Sequence, residues 1–283
     1  MSGYLEGVLV LLAINVILAY AAFLPIVAGQ LNLGVAGFVA IGAYGAAYLS
    51  NTFGVTPVLA ALAGAAGGAL IGWIVAFPVL RTRGIYLALA TFALGQVVQG
   101  SILNVDIVGG ASGYPVSSFI GFPVVAAFAV AVFVAVYLLF HTRFGISVTA
   151  VSDDEHAAGL MGLSVRSVQS AAFTIGAAIA SLAGALYAHH FSYIEAQNYG
   201  VLFSINVVLY VLLGGTQTVY GPLLGAAVFT LLPELLRGSA AWRYVIFASL
   251  IIAIMSLRPQ GAITRDLLRR LFGVRPGALG ARP

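Results

Sequence analysis

The chain has 283 residues, 61% hydrophobic and 7% charged, with a net charge of +4. A soluble domain carries about a quarter charged residues, so an ordinary globular enzyme is excluded and a fold in lipid is indicated. All 12 cations are arginine and there is no cysteine, which rules out a GxxxxGK[ST] phosphate loop, a lysine Schiff base, disulfides and thiolate metal sites. In chain order, apolar stretches at 5–27, 33–50, 58–80, 85–104, 122–140, 168–189, 204–219, 221–238 and 243–257 approach or reach membrane length. They predict an all-α, polytopic transmembrane helix bundle of about nine segments; alternating strand patterns are absent, which argues against a barrel. Residues 1–258 form the membrane domain, with a polar loop at about 141–167, and 259–283 form a tail. No cleavable signal peptide is evident, because the N-terminus lacks basic residues and runs straight into an apolar segment.

An odd number of spans puts the termini on opposite sides. With the N-terminus outside, Arg81, Arg83, Arg143, Arg166 and Arg258 fall inside together with the tail arginines, and only Arg237 and Arg243 fall outside. This bias follows the positive-inside rule and explains the net charge better than nucleic-acid binding does. The weakest span, 204–219, runs into Gly214, Gly215, Gly221 and Pro222, which predicts a broken helix there. Gly64, Gly68 and Gly72, and Gly176, Ala180 and Gly184, are spaced for close helix packing. In the tail, Ile263, Leu267, Leu268, Leu271 and Phe272 share one helical face opposite Arg265, Asp266, Arg269 and Arg270. That pattern suits a helix lying on an anionic lipid surface.

The most polar stretch is Phe144–Arg166. Ser152 followed by Glu155 reads as a capping box, and Asp153, Asp154 and Glu155 suit a first turn. Ala157 and Ala158 favour helix and Gly162 stops it. These residues predict a short helix from about Asp153 to Met161, on the cytoplasmic side and too polar to lie in the bilayer. It reads either as a solvated connection or as a docking helix for a cytoplasmic partner.

No catalytic constellation emerges. GxSxG and HExxH are absent. His189 and His190 are adjacent and point about 100° apart on a helix, which makes no metal clamp. Asp106 and Glu195 fall in outside loops, and Glu234 and Arg237 are spaced to pair. The polar residues within the spans are uncharged: Asn15, Gln30, Asn32, Thr91, Gln96, Gln99 and Asn206. Of these Asn32, Thr91, Gln96, Gln99 and Asn206 are candidates to line a path for a small polar solute. Proton-driven carriers place carboxylates in their spans, so their lack points to energy supplied from outside the chain.

Leu31–Ser50, Arg81–Gln99 (RTRGIYLALATFALGQVVQ), Val108–Gly113 (VGGASG), Asp153–Val165 (DDEHAAGLMGLSV) and the blocks near Ser181, Leu212 and Leu231 form an ordered set of stretches. Together they resemble the M-type (LivM-like) permease subunits of branched-chain amino acid ABC importers. The resemblance implies an inner-membrane permease subunit that moves branched-chain or related amino acids by alternating access. It further implies a homologous permease subunit, two cytoplasmic ATPase subunits that use ATP and Mg, and an extracytoplasmic solute-binding protein. No cofactor is expected on this chain. The polar helix corresponds to the family's ATPase-coupling loop, carried here by Glu155, Ala157, Ala158, Gly159 and Gly162, with Ser152, Asp153 and Asp154 opening it. Two positions depart from the pattern: Ser152 stands where an arginine is common, and Gln96 where a glutamate is common. Gln96 leaves the solute open, since permeases for urea and short-chain amides are similar. The reading from another class is a stand-alone channel or secondary carrier, which would need no ATPase.

Overall fold

The computed structural model describes residues 2–235 together with Ala248, Ser249 and Ile252. Ten helices carry these residues: α1 (Ser2–Val27), α2 (Val35–Phe53), α3 (Pro57–Val79), α4 (Ile85–Leu103), α5 (Phe122–Phe140), α6 (Arg143–Asp153), α7 (Glu155–Leu160), α8 (Val165–Phe191), α9 (Val201–Gly214) and α10 (Gly221–Leu235). Among the described residues, α1, α3, α4, α5 and α8 are long and apolar enough to cross a bilayer, while α9 and α10 are shorter. α2 is as long as α4 and α5 and has 12 of its 19 residues buried. Most of the predicted span at 243–257, the Arg237 partner predicted for Glu234, and the amphipathic tail lie outside the described residues.

α1 and α8 form the interior and the other helices wrap them. Ile17, Tyr20, Phe23, Phe173 and Leu186 are fully buried. By contrast α3 turns Leu59, Leu70, Trp73 and Phe77 outward, and α5 does the same with Val130 and Leu138. An outward apolar face is what a lipid-facing helix requires. The predicted small-residue stripes sit at the helix crossings. A Cβ on Gly68 would meet the Ser181 side chain at 1.9 Å, and one on Gly72 would meet Ala177 Cβ at 2.5 Å, so the glycine face of α3 lies directly on α8. Gly176 faces the Ala21 carbonyl of α1, and Gly184 the Val39 carbonyl of α2. Backbones approach this closely only where side chains are small.

Two loops at one end are tied together. Tyr114–Pro115 pairs antiparallel with Tyr193–Ile194, and the Val116 N–H donates to the Ser192 carbonyl at 2.9 Å. Asn51 braces the same loop, its Nδ2 donating to the Pro115 carbonyl at 2.7 Å and its Oδ1 accepting from the Ser117 N–H at 3.0 Å. The predicted break falls at the glycines. α9 ends at Gly214, Gly215 takes φ +103°, and α10 starts at Gly221. α9 begins at Val201, three residues before the expected start at 204, and Gly214 and Gly225 let it cross α10 backbone to backbone.

Candidate functional site

At the opposite end of the bundle the polar stretch folds as two helices instead of one, which corrects the predicted boundary. α6 starts at Arg143, with the Thr142 hydroxyl accepting from the Phe144 N–H at 3.3 Å. It runs through Ser152 and Asp153, so Ser152 lies in a helical turn and caps nothing. The chain breaks at Asp154, which is extended at φ −157° and ψ 107°. Its Oδ1 accepts from the His156 N–H at 2.8 Å and the Ala157 N–H at 3.0 Å, making Asp154 the N-cap of α7. Those bonds, first from Ala157 and then from His156, hold the Asp154 carboxyl below the usual carboxylate range. A carboxylate accepts two N–H groups at once and also meets the positive end of the helix, which is why the break falls here and not at the serine. α7 is therefore only 6 residues, about 9 Å of rise instead of the predicted nine-residue helix. Gly162 ends it as predicted, at φ +83°. The Gly162 N–H bonds to Gly159 O and the Leu163 N–H to Ala158 O, both at 3.1 Å.

α7 has an inner and an outer side. Ala158 is buried, and Glu155 is half-buried and turned toward the bundle, where the Gln169 Nε2 of α8 donates to its Oε1 at 2.9 Å. The same Nε2 lies 3.3 Å from the Ala28 carbonyl at the end of α1. Gln169 thus links α7 to both interior helices. On the outer side His156, Ala157 and Gly159 are exposed, and Leu160 and Met161 are 91% and 87% exposed. Leu160 ends the capped six-residue helix and Met161 follows it, and the two side chains form an exposed apolar knob. Sequence reasoning singled out Glu155 and Gly159 but missed Leu160, Met161 and Gln169. The apolar pair between small residues was the available signal for the knob; the role of Gln169 depends on tertiary contact.

The five path candidates are not gathered on one surface. Asn32 and Thr91 are buried and hold the start of α2. Asn32 Oδ1 accepts from the Gly34 N–H at 2.8 Å, and Thr91 Oγ1 accepts from the Leu33 N–H at 3.0 Å. Gln99 donates to the carbonyls of Ala196 and Gln197 at 3.0 and 3.2 Å, pinning the loop before α9. Gln96 and Asn206 are exposed, on α4 and α9. A separate cavity of about 580 Å³ opens among α1, α8, α9, α10 and that loop, lined by Asn15, Tyr187, Glu195, Tyr199, Phe203 and Thr230 among others. Asn15 Nδ2 donates to Thr230 Oγ1 at 2.9 Å across it, joining α1 to α10. His189 and His190 serve local structure, their Nδ1 atoms lying 2.8 Å from the carbonyls of Ala185 and Ile120. Among the described residues no group of three or more His, Asp or Glu gathers to hold a metal.

Residues 4–255 match the family model described as branched-chain amino acid transport system / permease component. The chain is 32% identical to the high-affinity branched-chain amino acid transport system permease protein LivM of Escherichia coli K12, over 88% of this chain and 68% of that protein. It is 28% identical to the fructose import permease protein FruG of Bifidobacterium longum, over 90% of this chain and 82% of the relative. Identity to the ribose import permease protein RbsC of Escherichia coli K12 is 29%, over 80% and 73%. No solved structure matches the chain. A bundle of bilayer-length apolar helices, a capped polar helix at one end and a family match over most of the sequence agree, and the chain belongs to the branched-chain amino acid permease family.

Proposed function

We propose that this chain is the membrane permease subunit of an ABC importer for branched-chain or related amino acids in the inner membrane. It works beside a homologous permease subunit, with two cytoplasmic ATPase subunits and an extracytoplasmic binding protein. The observation that carries the reading is α7: a capped, exposed helix with Leu160 and Met161 outward and Glu155 fastened through Gln169 to α8 and α1. A force applied to that knob passes directly into the two interior helices. ATP and Mg belong to the partner ATPases, whose closure would push α7 and switch the path between outward and inward access. Residues 1–258 then form the membrane domain, about nine segments with the N-terminus outside, and 259–283 a cytoplasmic tail. The path candidates split accordingly: Gln96 and Asn206, exposed on α4 and α9, remain for solute contact, and Asn32, Thr91 and Gln99 hold the neighbouring backbone.

The test is reconstitution with the partner ATPases and binding protein, followed by uptake of labelled leucine, other amino acids, urea and, because two relatives carry sugar-import names, ribose and fructose. Leucine uptake that needs ATP is expected. Replacing Glu155 and Gly159 with bulky or basic residues, or Leu160 and Met161 with aspartate, should abolish uptake and leave membrane insertion intact. Flux that persists without ATP would make the chain a channel or secondary carrier.

A further inference from the structure

A second cavity, of about 390 Å³, lies beside α7 at the same end of the bundle. Its wall brings together Gln30 after α1, Arg81 and Arg83 in the α3–α4 turn, Glu155 of α7, and Arg166 and Gln169 of α8. The charges there are unbalanced. Among the described residues no carboxylate forms an ion pair with Arg81, Arg83 or Arg166. The guanidinium carbons of Arg81 and Arg166 lie 5.0 and 5.1 Å from the centre of the same Phe77 ring, so one aromatic side chain holds both charges. Arg166 Nη2 spends one donor on the Phe77 carbonyl at 3.1 Å, which leaves the rest of its fork free.

An independent feature is Gln30. It is 1% exposed, and neither its Nε2 nor its Oε1 has a hydrogen-bond partner. Burying a primary amide with both ends unpaired is costly, and native structures keep such groups where something else completes them. The cavity wall therefore presents guanidinium donors and a carboxylate with one oxygen already committed to Gln169, and behind the wall lies an unpaired amide able both to donate and to accept. A simple anion would satisfy the arginines but meet Glu155 as a like charge. A simple cation would meet the reverse.

We propose that this cavity is a binding site for a compact zwitterion. Its anionic oxygens are received by Arg81, Arg83 and Arg166, its ammonium by Glu155, and the buried Gln30 amide turns into the cavity to complete the set. Two sources share this chemistry: a free α-amino acid, and the headgroup of an ethanolamine phospholipid. Either occupant bridges the α3–α4 turn and the end of α1 to Glu155, and so fastens α7 to the bundle from the side opposite its knob. On the transport reading, an amino acid held there would report solute already delivered and slow further import.

The test uses the full chain in nanodiscs free of ethanolamine lipid, titrated calorimetrically with L-leucine, 4-methylpentanoate (no ammonium) and 3-methylbutylamine (no carboxylate). Leucine is expected to bind about tenfold or more tighter than either half-ligand, as one lost charge-assisted bond implies. Arg83→Gln and Gln30→Met should each weaken leucine by roughly ten- to a hundredfold. Gln30→Met should not lower the melting temperature, since it removes an unpaired amide at similar volume. Glu155→Gln should weaken leucine but not 4-methylpentanoate. In discs containing phosphatidylethanolamine, a lipid occupant would suppress the leucine isotherm and co-purify with the wild type but not with Arg83→Gln. A free amino-acid occupant leaves the isotherm unchanged. The proposal is overturned if no probe binds and no lipid is retained, if leucine binding ignores Arg83→Gln and Gln30→Met, or if 4-methylpentanoate binds as tightly as leucine. These measurements need no ATPase, so their failure is distinct from a failure of ATP-driven uptake.

Discussion

Gly42→Ala is the sharpest probe of how the bundle is held. A Cβ on Gly42 of α2 would sit 1.9 Å from the Ser181 carbonyl oxygen, 2.4 Å from its carbon and 2.5 Å from its Cα. The close limit for carbon against a carbonyl oxygen is about 3.3 Å, so α2 and α8 must separate by roughly 1.4 Å. The obstructing atoms are backbone and cannot rotate away. Overpacking of this kind costs about 1–3 kcal/mol, and rigid atoms place it at the upper end. Alanine returns up to about 1 kcal/mol of helix propensity, leaving a net loss of about 2 kcal/mol, or roughly 30-fold in the folding equilibrium. Gly45 of α2 and Gly67 of α3 face open space, with no atom within 4 Å of where a Cβ would stand. There the same substitution should be neutral or stabilising by up to about 1 kcal/mol. Equilibrium unfolding of the full chain in mixed micelles, followed by circular dichroism, measures all three. A further variant, Gly184→Ala, meets the Val39 carbonyl at the same α2–α8 contact, so the double variant should lose less than the sum. If Gly42→Ala were as stable as Gly45→Ala, the backbone contact between α2 and α8 would be wrong.

Three further outcomes are expected. Ser204→Ala removes the buried hydroxyl that accepts from the Ala36 N–H at 3.0 Å, which should cost about 1–3 kcal/mol and speed amide exchange at the start of α2. Asp154→Ala should fray α7. Because the Asp154 carboxyl is held below its ordinary value in the folded state, the cap contributes fully above the usual carboxylate range and is lost as pH falls through the lowered value. Asp154→Asn keeps an acceptor and should abolish that pH dependence, read by amide exchange at Ala157; a cap that persists unchanged at acid pH in the wild type would refute the assignment. Gln169→Met removes the donor shared by Glu155 and the Ala28 carbonyl. It should leave insertion and ATPase binding intact while lowering uptake about tenfold or more, by the loss of one bond to a charged group.

The sequence by itself settled the solvent and the element type. Long runs of apolar residues with so few charges can satisfy their backbone only as helices in lipid, and the starts and stops at Pro57, Phe122 and Gly162 are local chemistry legible residue by residue. The glycine stripes likewise announced close packing, because a missing Cβ has few other uses at that spacing. Tertiary structure decided what each stripe touches: α8 for Gly68 and Gly72, both α2 and α8 for Gly64, and α1 and α2 for the two glycines of α8. It also decided which residue opens α7. The sequence pattern named Ser152 as the cap and put Asp154 in the first turn; the cap is Asp154, whose carboxylate reaches two free N–H groups once α6 has claimed the serine. The path candidates show the same limit. Thr91, Gln96 and Gln99 stand on one helix, yet one is buried, one exposed and one bonded to a loop. A polar residue in an apolar span signals a partner, but its distance in space from Leu33 or Ala196 depends on how the helices cross, which no local pattern encodes.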